Sequence, residues 1–427
     1  MAKTVSSSSE DSAIVQRHCR ACTGHSIKAV LDYGSTPIAD VLLDCAEQAS
    51  IYAPLSLIYC KDCNLLQLGE SVSPSSVYNY AYPYFSSAIA SLLARMKTLA
   101  DELIRNYSLD QTSKVIEIAS NDGYLLKHFK DQGLTPLGVE PAERQANAAR
   151  QLGIETIGDF FDQPLAEKII RQKGLFDLVL ANNVIAHIPD ITQVLDAIAS
   201  LLKTDGVAVF EFHDAGELLD KAQFDTIYHQ HIFYFTLTSF EPLLKTAGLF
   251  VHKVETVDAY GGALRIHASA NAEIANQRLD LSVAQQREKE ANAKIAEFST
   301  YTDFAQRCER NKIALKQFID ELRQQGKSVA AYGAAAKACT LLNVCELGTQ
   351  HIEYLLDQNT NKHHLFMSGN ALPIFPVERL AQNPPDYLLI LAWNYADEIM
   401  QQLNWYCDLG GQFIIPIPEL TIQGHSK

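Results

Sequence analysis

Three groups of residues in this 427-residue chain have side chains and spacings suited to chemistry. The first is Cys19-Arg-Ala-Cys22 with Cys60-Lys-Asp-Cys63. A C-x-x-C turn places two thiolates on one side of a knuckle, and two such turns complete a closed tetrahedral set of sulfurs that suits zinc. Nine cysteines is an odd number, and the N-terminus lacks an export signal, so metal ligation explains the paired spacing better than a disulfide framework or four cysteines that are simply buried. Four protein ligands leave no open position for water, which predicts a structural zinc.

The second group is Tyr228-His229-Gln230-His231, within an aromatic stretch from Phe224 to Tyr234. Imidazole titrates near neutral pH and a phenol can donate to a developing enolate, so these side chains could take a proton from a carbon acid. Methylation of carbon needs such a base, whereas methylation of an already basic atom needs only positioning. An aromatic β segment with core histidines fits the same pattern equally well. If 228–233 is extended, alternation sends Tyr228 and His231 to opposite faces, and pairing them requires a turn or bulge.

The third group surrounds the turn after a predicted strand at 115–119. Glu117, Ala119, Asn121, Asp122 and Gly123 lie in or beside Ala119-Ser-Asn-Asp-Gly123, whose small residues let the backbone approach a ligand ahead of a helix N-terminus. Glu140 closes the next strand roughly 20 residues on, where an acid can accept hydrogen bonds from both ribose hydroxyls. Asp159 and Phe160, after the third strand, suit an adenine through a carboxylate and an apolar slot, and Asn182 follows the fourth strand of the same series. A nicotinamide dinucleotide would call for G-x-G-x-x-G, and this turn has Gly123 alone, so the predicted cofactor is S-adenosylmethionine.

The elements that must position these residues follow from periodicity. Strands at 115–119, 136–140, 155–158, 176–181 and 206–211 alternate with helices at 124–130, 142–152, 165–172 and 191–202, which predicts a doubly wound, mostly parallel α/β sheet. Ligands bind such sheets outside the carboxyl ends of the strands. Phe304, Cys308, Leu315, Phe318, Ile319 and Leu322 recur at helical spacing and predict a packing helix over 303–325. A second series with strands at 328–333, 352–357, 387–392 and 411–415 predicts a further Rossmann-like α/β domain. The expected division is a flexible tail at 1–16, a zinc module at 17–75, a methyltransferase domain at 76–270, a helical linker at 271–325 and a C-terminal α/β domain at 326–427.

Composition narrows the partners. Hydrophobic residues make up 47% and charged residues 20%, an ordinary globular balance. A net charge of −15 argues against nucleic acid or an anionic membrane as the main partner. No apolar run approaches the roughly 18 residues that span a bilayer, so the expectation is a cytoplasmic protein.

Together the motifs resemble the sugar C-methyltransferases of branched deoxysugar biosynthesis. That family joins a four-cysteine module opening C-R-x-C to E-I-x-S-N-D-G, Y-H-E-H, G-G-S-L-R and a C-terminal G-Y-G-A-x-A-K. The matching positions here are Cys19, Cys22, Cys60 and Cys63, then 117–123, 228–231, 261–265 and 332–337, and the resemblance spans 17–418. It implies transfer of a methyl group to the carbon beside the ketone of a nucleotide-linked keto-sugar, with His231 as base and Tyr228 as its proton relay. Gln230 stands where the family has Glu, and a neutral amide cannot raise the basicity of a neighbouring imidazole as a carboxylate can. Ala263 replaces the serine of the fourth motif. Arg265 is expected to hold a substrate anion or to pair with a carboxylate, and Lys337 is expected at the diphosphate. Two other functions fit the same residues, methylation of a non-sugar ketone and cofactor binding without turnover.

Overall fold

The computed structural model describes residues 18–73, 84–88 and 90–424. The expected tail at 1–16 and the expected boundary at 75/76 lie outside the described residues. Near the N-terminus, Ile27–Pro37 (β1) and Tyr52–Cys60 (β2) pair antiparallel, and Leu66–Leu68 (β3) pairs with the end of β2. Alternation along β2 turns Ala53, Leu55 and Leu57 inward. A fourth strand, Phe233–Tyr234, reaches this sheet from far along the chain and pairs with β3, Leu66 opposite Tyr234.

Two matching turns carry the cysteines. In each, the residue after the second cysteine takes a left-handed backbone, Thr23 at φ 60° and Asn64 at φ 59°. Hydrogen bonds from Cys19 N–H to Gly24 O (2.8 Å) and from Cys60 N–H to Leu65 O (2.9 Å) close the two loops. Zinc–sulfur bonds of about 2.3 Å in a tetrahedron set sulfurs about 3.8 Å apart. The Cys19–Cys63 and Cys22–Cys60 sulfurs are 3.6 Å apart and all four lie within 4.8 Å of one another, so the cluster fits the ion. Gln67 donates to the Cys19 sulfur at 3.1 Å and holds that ligand from outside the cluster.

The central sheet contains Lys114–Ile118 (β4), Thr135–Val139 (β5), Glu155–Ile157 (β6), Phe176–Asn182 (β7) and Leu202–His213 (β8), all parallel. With Phe233–Tyr234 counted as β9, Phe250–Val257 (β10) and Ala263–Ser269 (β11) complete it on the β8 side, in the order β10-β11-β8-β7-β4-β5-β6. β11 runs antiparallel to both its neighbours, a feature that the expected parallel series left out. Hydrophobic residues dominate β7 and the buried 207–212 stretch of β8, as expected for central parallel strands.

In the C-terminal part, Val329–Tyr332 (β12), Leu355–Leu356 (β13), Ile374–Phe375 (β14), Tyr387–Ile390 (β15) and Gln412–Ile415 (β16) are parallel, and Thr421–Gln423 (β17) closes the edge antiparallel, in the order β14-β13-β12-β15-β16-β17. The long helix Phe298–Gln324 starts five residues before the expected 303, and its buried stripe adds Tyr301 to the predicted side chains and leaves Phe318 half-buried. The Tyr301 ring stacks on Tyr59 of β2 with centroids 4.1 Å apart. One apolar cluster therefore runs from Leu55 and Tyr59 through Phe224, Phe304 and Ile319 to Leu341 and Leu389, joining the cysteine-bearing sheet to the C-terminal sheet. No helix among the described residues is long and apolar enough to cross a membrane.

Because metal-binding energy is folding energy here, Cys60→Ser should yield protein with less than one zinc per chain. Its melting temperature should drop by about 5 °C or more, the shift that roughly 2 kcal/mol produces in domains of this size. Elemental analysis and calorimetry check this, and full zinc content in the variant would contradict it.

Candidate active site

A cavity of about 850 Å³ opens where the carboxyl ends of the central strands meet the C-terminal domain. Its central-domain wall is built by the turn after β4. Ala119 (φ 55°), Asn121 (φ 48°) and Gly123 (φ 78°) adopt left-handed backbone, and a Cβ on Gly123 would lie 2.6 Å from Ile154 Cδ1. That geometry points the Asn121 N–H at Glu140, whose Oε2 accepts it at 2.9 Å while Oε1 accepts the Ala142 N–H at 2.8 Å. Each carboxylate oxygen keeps a second lone pair, enough for a vicinal diol. Burial pushes the Glu140 carboxyl up to about 7.

Of the nine residues expected around the cofactor, Ala119, Asn121, Glu140, Phe160 and Asn182 line the cavity. Glu117 lies beneath it, accepting the Asn182 amide at 3.1 Å, with its own carboxyl pushed well up by burial. The Asn182 Oδ1 is buried without a hydrogen-bond partner among the described residues and suits an ammonium donor such as that of a bound methionyl group. Asp122 accepts the Ser87 N–H at 3.1 Å, and Asn121 Oδ1 the Ser86 N–H at 2.9 Å, so both fix the chain entering Ala90–Asn106. Asp159 corrects its expectation. It is exposed and accepts the Phe160 N–H, while Phe161 and Asp162, the residue that caps Gln163–Lys173, reach the cavity.

The segment 228–231 folds as a turn, with the His231 N–H donating to Tyr228 O at 2.9 Å, and this brings the Tyr228 hydroxyl 2.8 Å from His231 Nε2. The Thr226 carbonyl, 3.1 Å from His231 Nδ1, can only accept, so Nδ1 carries the proton and Nε2 is the basic atom facing the phenol. Burial holds the His231 pKa well below the ordinary imidazole value, which keeps the ring neutral. Gln230 lines the same wall and donates through Nε2 to Ala39 O at 2.5 Å. His229 corrects its expectation by turning away, its Nε2 3.2 Å from the carbonyls of both Ala53 and Pro54, where it ties the turn to β2.

Arg265 also departs from the substrate-anion role. It is 5% exposed and gives Nε and Nη2 to Glu211 at 3.0 and 2.7 Å and Nη1 to Glu255 at 2.8 Å, so its charge is met by two carboxylates. Lys337 does line the cavity. Its ammonium lies 4.2 Å from the Trp393 ring centroid and donates to Asn394, and burial brings its pKa down to about 8. The Trp393 indole in turn donates to Asp225 Oδ2 at 2.7 Å.

Sequence patterns left out two cavity histidines. His187 donates Nδ1–H to Gln230 O at 2.7 Å, and its ring centroid lies 4.8 Å from that of His231. His213 donates Nε2–H to Gln223 Oε1 at 2.6 Å, and burial brings its pKa down to about 4. His213 is the last residue of β8 and His187 lies five positions past β7, so the rule that ligands bind at the carboxyl ends of strands was the signal that pointed to both.

Three family models match this chain in sequence order: "Putative zinc binding domain" over 19–78, "Methyltransferase domain" over 92–254 and "C-methyltransferase C-terminal domain" over 258–418. C-methyltransferase NovU of Streptomyces niveus is 36% identical over 403 residues, covering 94% of this chain and 95% of that protein. A ubiquinone biosynthesis O-methyltransferase of Bordetella avium is 28% identical over 102 residues, 23% of this chain and 42% of that protein. Among solved structures, an S-adenosylmethionine-dependent methyltransferase from Clostridium acetobutylicum aligns with TM-score 0.34 and 12% identity over 42% of this chain and 92% of its own. A Pyrococcus horikoshii protein aligns with TM-score 0.35 and 20% identity over 44% and 94%. Matched along nearly its whole length by a named relative and by all three models in order, this chain belongs to the C-methyltransferase family, as an S-adenosylmethionine-dependent enzyme with an N-terminal zinc-binding module.

Proposed function

We propose that this enzyme methylates the carbon beside the ketone of a nucleotide-linked keto-deoxysugar. The observation that carries the proposal is the hydrogen-bonded Tyr228–His231 pair on the wall of one cavity, between the turn that suits the cofactor and the C-terminal domain. The proposed organisation is a zinc module at 17–75, a methyltransferase domain at 76–270, helices at 271–325 and a C-terminal domain at 326–427. Glu140 takes the cofactor ribose, Asn121 and Asn182 its amino-acid end, and Phe160 with Phe161 its adenine.

When bound, the cofactor supplies a methyl group on a sulfonium that is already a good leaving group. The chain's own task is to form and align the enolate. His231 Nε2 accepts the phenolic proton while the Tyr228 oxygen takes the proton from the substrate carbon. The Thr226 carbonyl holds the required tautomer, and His187 supports the turn through the Gln230 carbonyl. Lys337, whose ammonium packs on the Trp393 ring and which lines the cavity, would meet the acceptor's negative charge.

His231→Ala should retain affinity for the methyl donor and lose about 100- to 10,000-fold in methyl transfer to a nucleotide-linked 4-keto-deoxysugar, as expected for a missing general base. It should also stop solvent deuterium entering the substrate carbon. Undiminished exchange, read by mass spectrometry, would move the base role elsewhere. Glu140→Ala should weaken donor binding in calorimetry by about 1.5–3 kcal/mol, the range for hydrogen bonds to a charged group. Gln230→Glu places a carboxyl against the Ala39 carbonyl, where only the protonated acid can donate. Its carboxyl pKa should therefore rise, and activity should fall as pH increases through that value, a limb absent from the wild-type pH profile.

A further inference from the structure

His213, the last residue of β8, lines the cavity and is 8% exposed. Two hydrogen bonds in series set its tautomer. The Gly261 carbonyl can only accept, so the fully buried Gln223 amide gives it Nε2–H, at 2.8 Å, and turns Oε1 toward the imidazole. That oxygen can also only accept, so His213 Nε2 carries the proton, at 2.6 Å, and Nδ1 is left with a bare lone pair. Nδ1 is buried and has no hydrogen-bond partner among the described residues. A buried acceptor left unmet is costly, so the site calls for a donor that the described protein atoms do not supply.

Three roles could use that lone pair, and two conflict with the chemistry. As a general base the ring would be weak, because burial first and the Lys337 charge after it hold its pKa down to about 4. As a stabiliser of the enolate oxygen it has no proton to give, since its one N–H is spent on Gln223. What remains is to accept from a donor on the ligand. A cationic donor would meet the Lys337 and Lys221 charges that already disfavour the imidazolium, against which Glu217 acts more weakly than Lys337, so the favoured donor is a neutral hydroxyl. We propose that His213 Nδ1 accepts a hydrogen bond from a hydroxyl of the acceptor sugar, which makes His213 a specificity-determining residue that favours keto-sugars retaining that hydroxyl over their deoxy counterparts. This rests on the keto-sugar acceptor proposed above and names a group on it that the cavity selects.

The test is steady-state methyl transfer by full-length, zinc-containing enzyme at saturating S-adenosylmethionine. The acceptors are a thymidine-diphosphate-linked 4-keto-6-deoxyhexose and its 2-deoxy and 3-deoxy forms. Loss of the hydroxyl that meets His213 should lower the wild-type kcat/KM by about tenfold to hundredfold. Two variants separate the ring nitrogens, because an Asn amide can place its oxygen near the position of Nδ1, whereas a Gln amide reaches that of Nε2. His213→Gln should keep the link to Gln223 and lose the discrimination, with hydroxylated and deoxy acceptors differing by less than about threefold. His213→Asn should retain most of it. Affinity for S-adenosylhomocysteine, measured by calorimetry, should be unchanged in both. Equal kcat/KM for all three acceptors in the wild type would overturn the role of His213 while leaving the keto-sugar reading intact. So would discrimination that survives in His213→Gln and disappears in His213→Asn, which would trace it to the Gln223 link. If the wild type turns over none of the three, the keto-sugar acceptor fails and this inference fails with it.

Discussion

A buried stretch of chain with almost no helix or strand of its own needs partners for its polar groups, and 224–231 draws many of them from the other parts of the molecule. Tyr33 of β1 donates to the Phe224 carbonyl at 3.0 Å, and Thr340 of the helix Ala336–Val344 donates to Ile227 O at 3.1 Å. Trp393 donates to Asp225, and the side chains of His229 and Gln230 reach carbonyls at 53, 54 and 39. The tautomer of His231 and the reach of Tyr228 depend on this clasp. Phe233 and Tyr234, immediately beyond, extend it by adding a strand to the cysteine-bearing sheet.

The zinc cluster acts at a distance within the same frame. It fixes the end of β2 at Cys60, and β2 presents the Ala53 and Pro54 carbonyls that hold His229. The cysteine cluster, β2 and the turn at 228–231 are linked in succession through the backbone of β2 and the His229 side chain, so an ion with no open coordination position can still affect the geometry of the cavity wall.

Local patterns made much of this legible. The cysteine spacing, the five parallel strands with their turns and the need for a turn between Tyr228 and His231 all follow from interactions within a few residues. What escaped depends on long-range pairing. Nothing near Arg265 announces that β8 and β10 bring Glu211 and Glu255 against it, and the two-residue strand Phe233–Tyr234 is too short to show a period. Asp159 and Asp162 both follow the third strand, and only the tertiary placement of the helix that Asp162 caps shows which of them reaches the cavity. His229 and His231 are alike in sequence; the turn separates them into an anchor and a base candidate.

The clasp around 224–231 also bears on how such a chain can change over evolutionary time. Its parts look exchangeable, since each sheet has a complete strand order and carries its own cavity residues or metal ligands. A recombined chain that inherited the central sheet from one parent and the flanking sheets from another would nevertheless have to inherit compatible residues at 33, 39, 340 and 393 as a set. A mismatch at Trp393, whose ring lies where a Cβ on Gly261 would come within 2.6 Å, would disturb the Gly261–Gly262 turn beside the cavity as well as the hydrogen bond to Asp225. Crossovers between the sheets are therefore expected to be rarer than the modular outline suggests, with new acceptor preferences arising by substitution inside an intact frame.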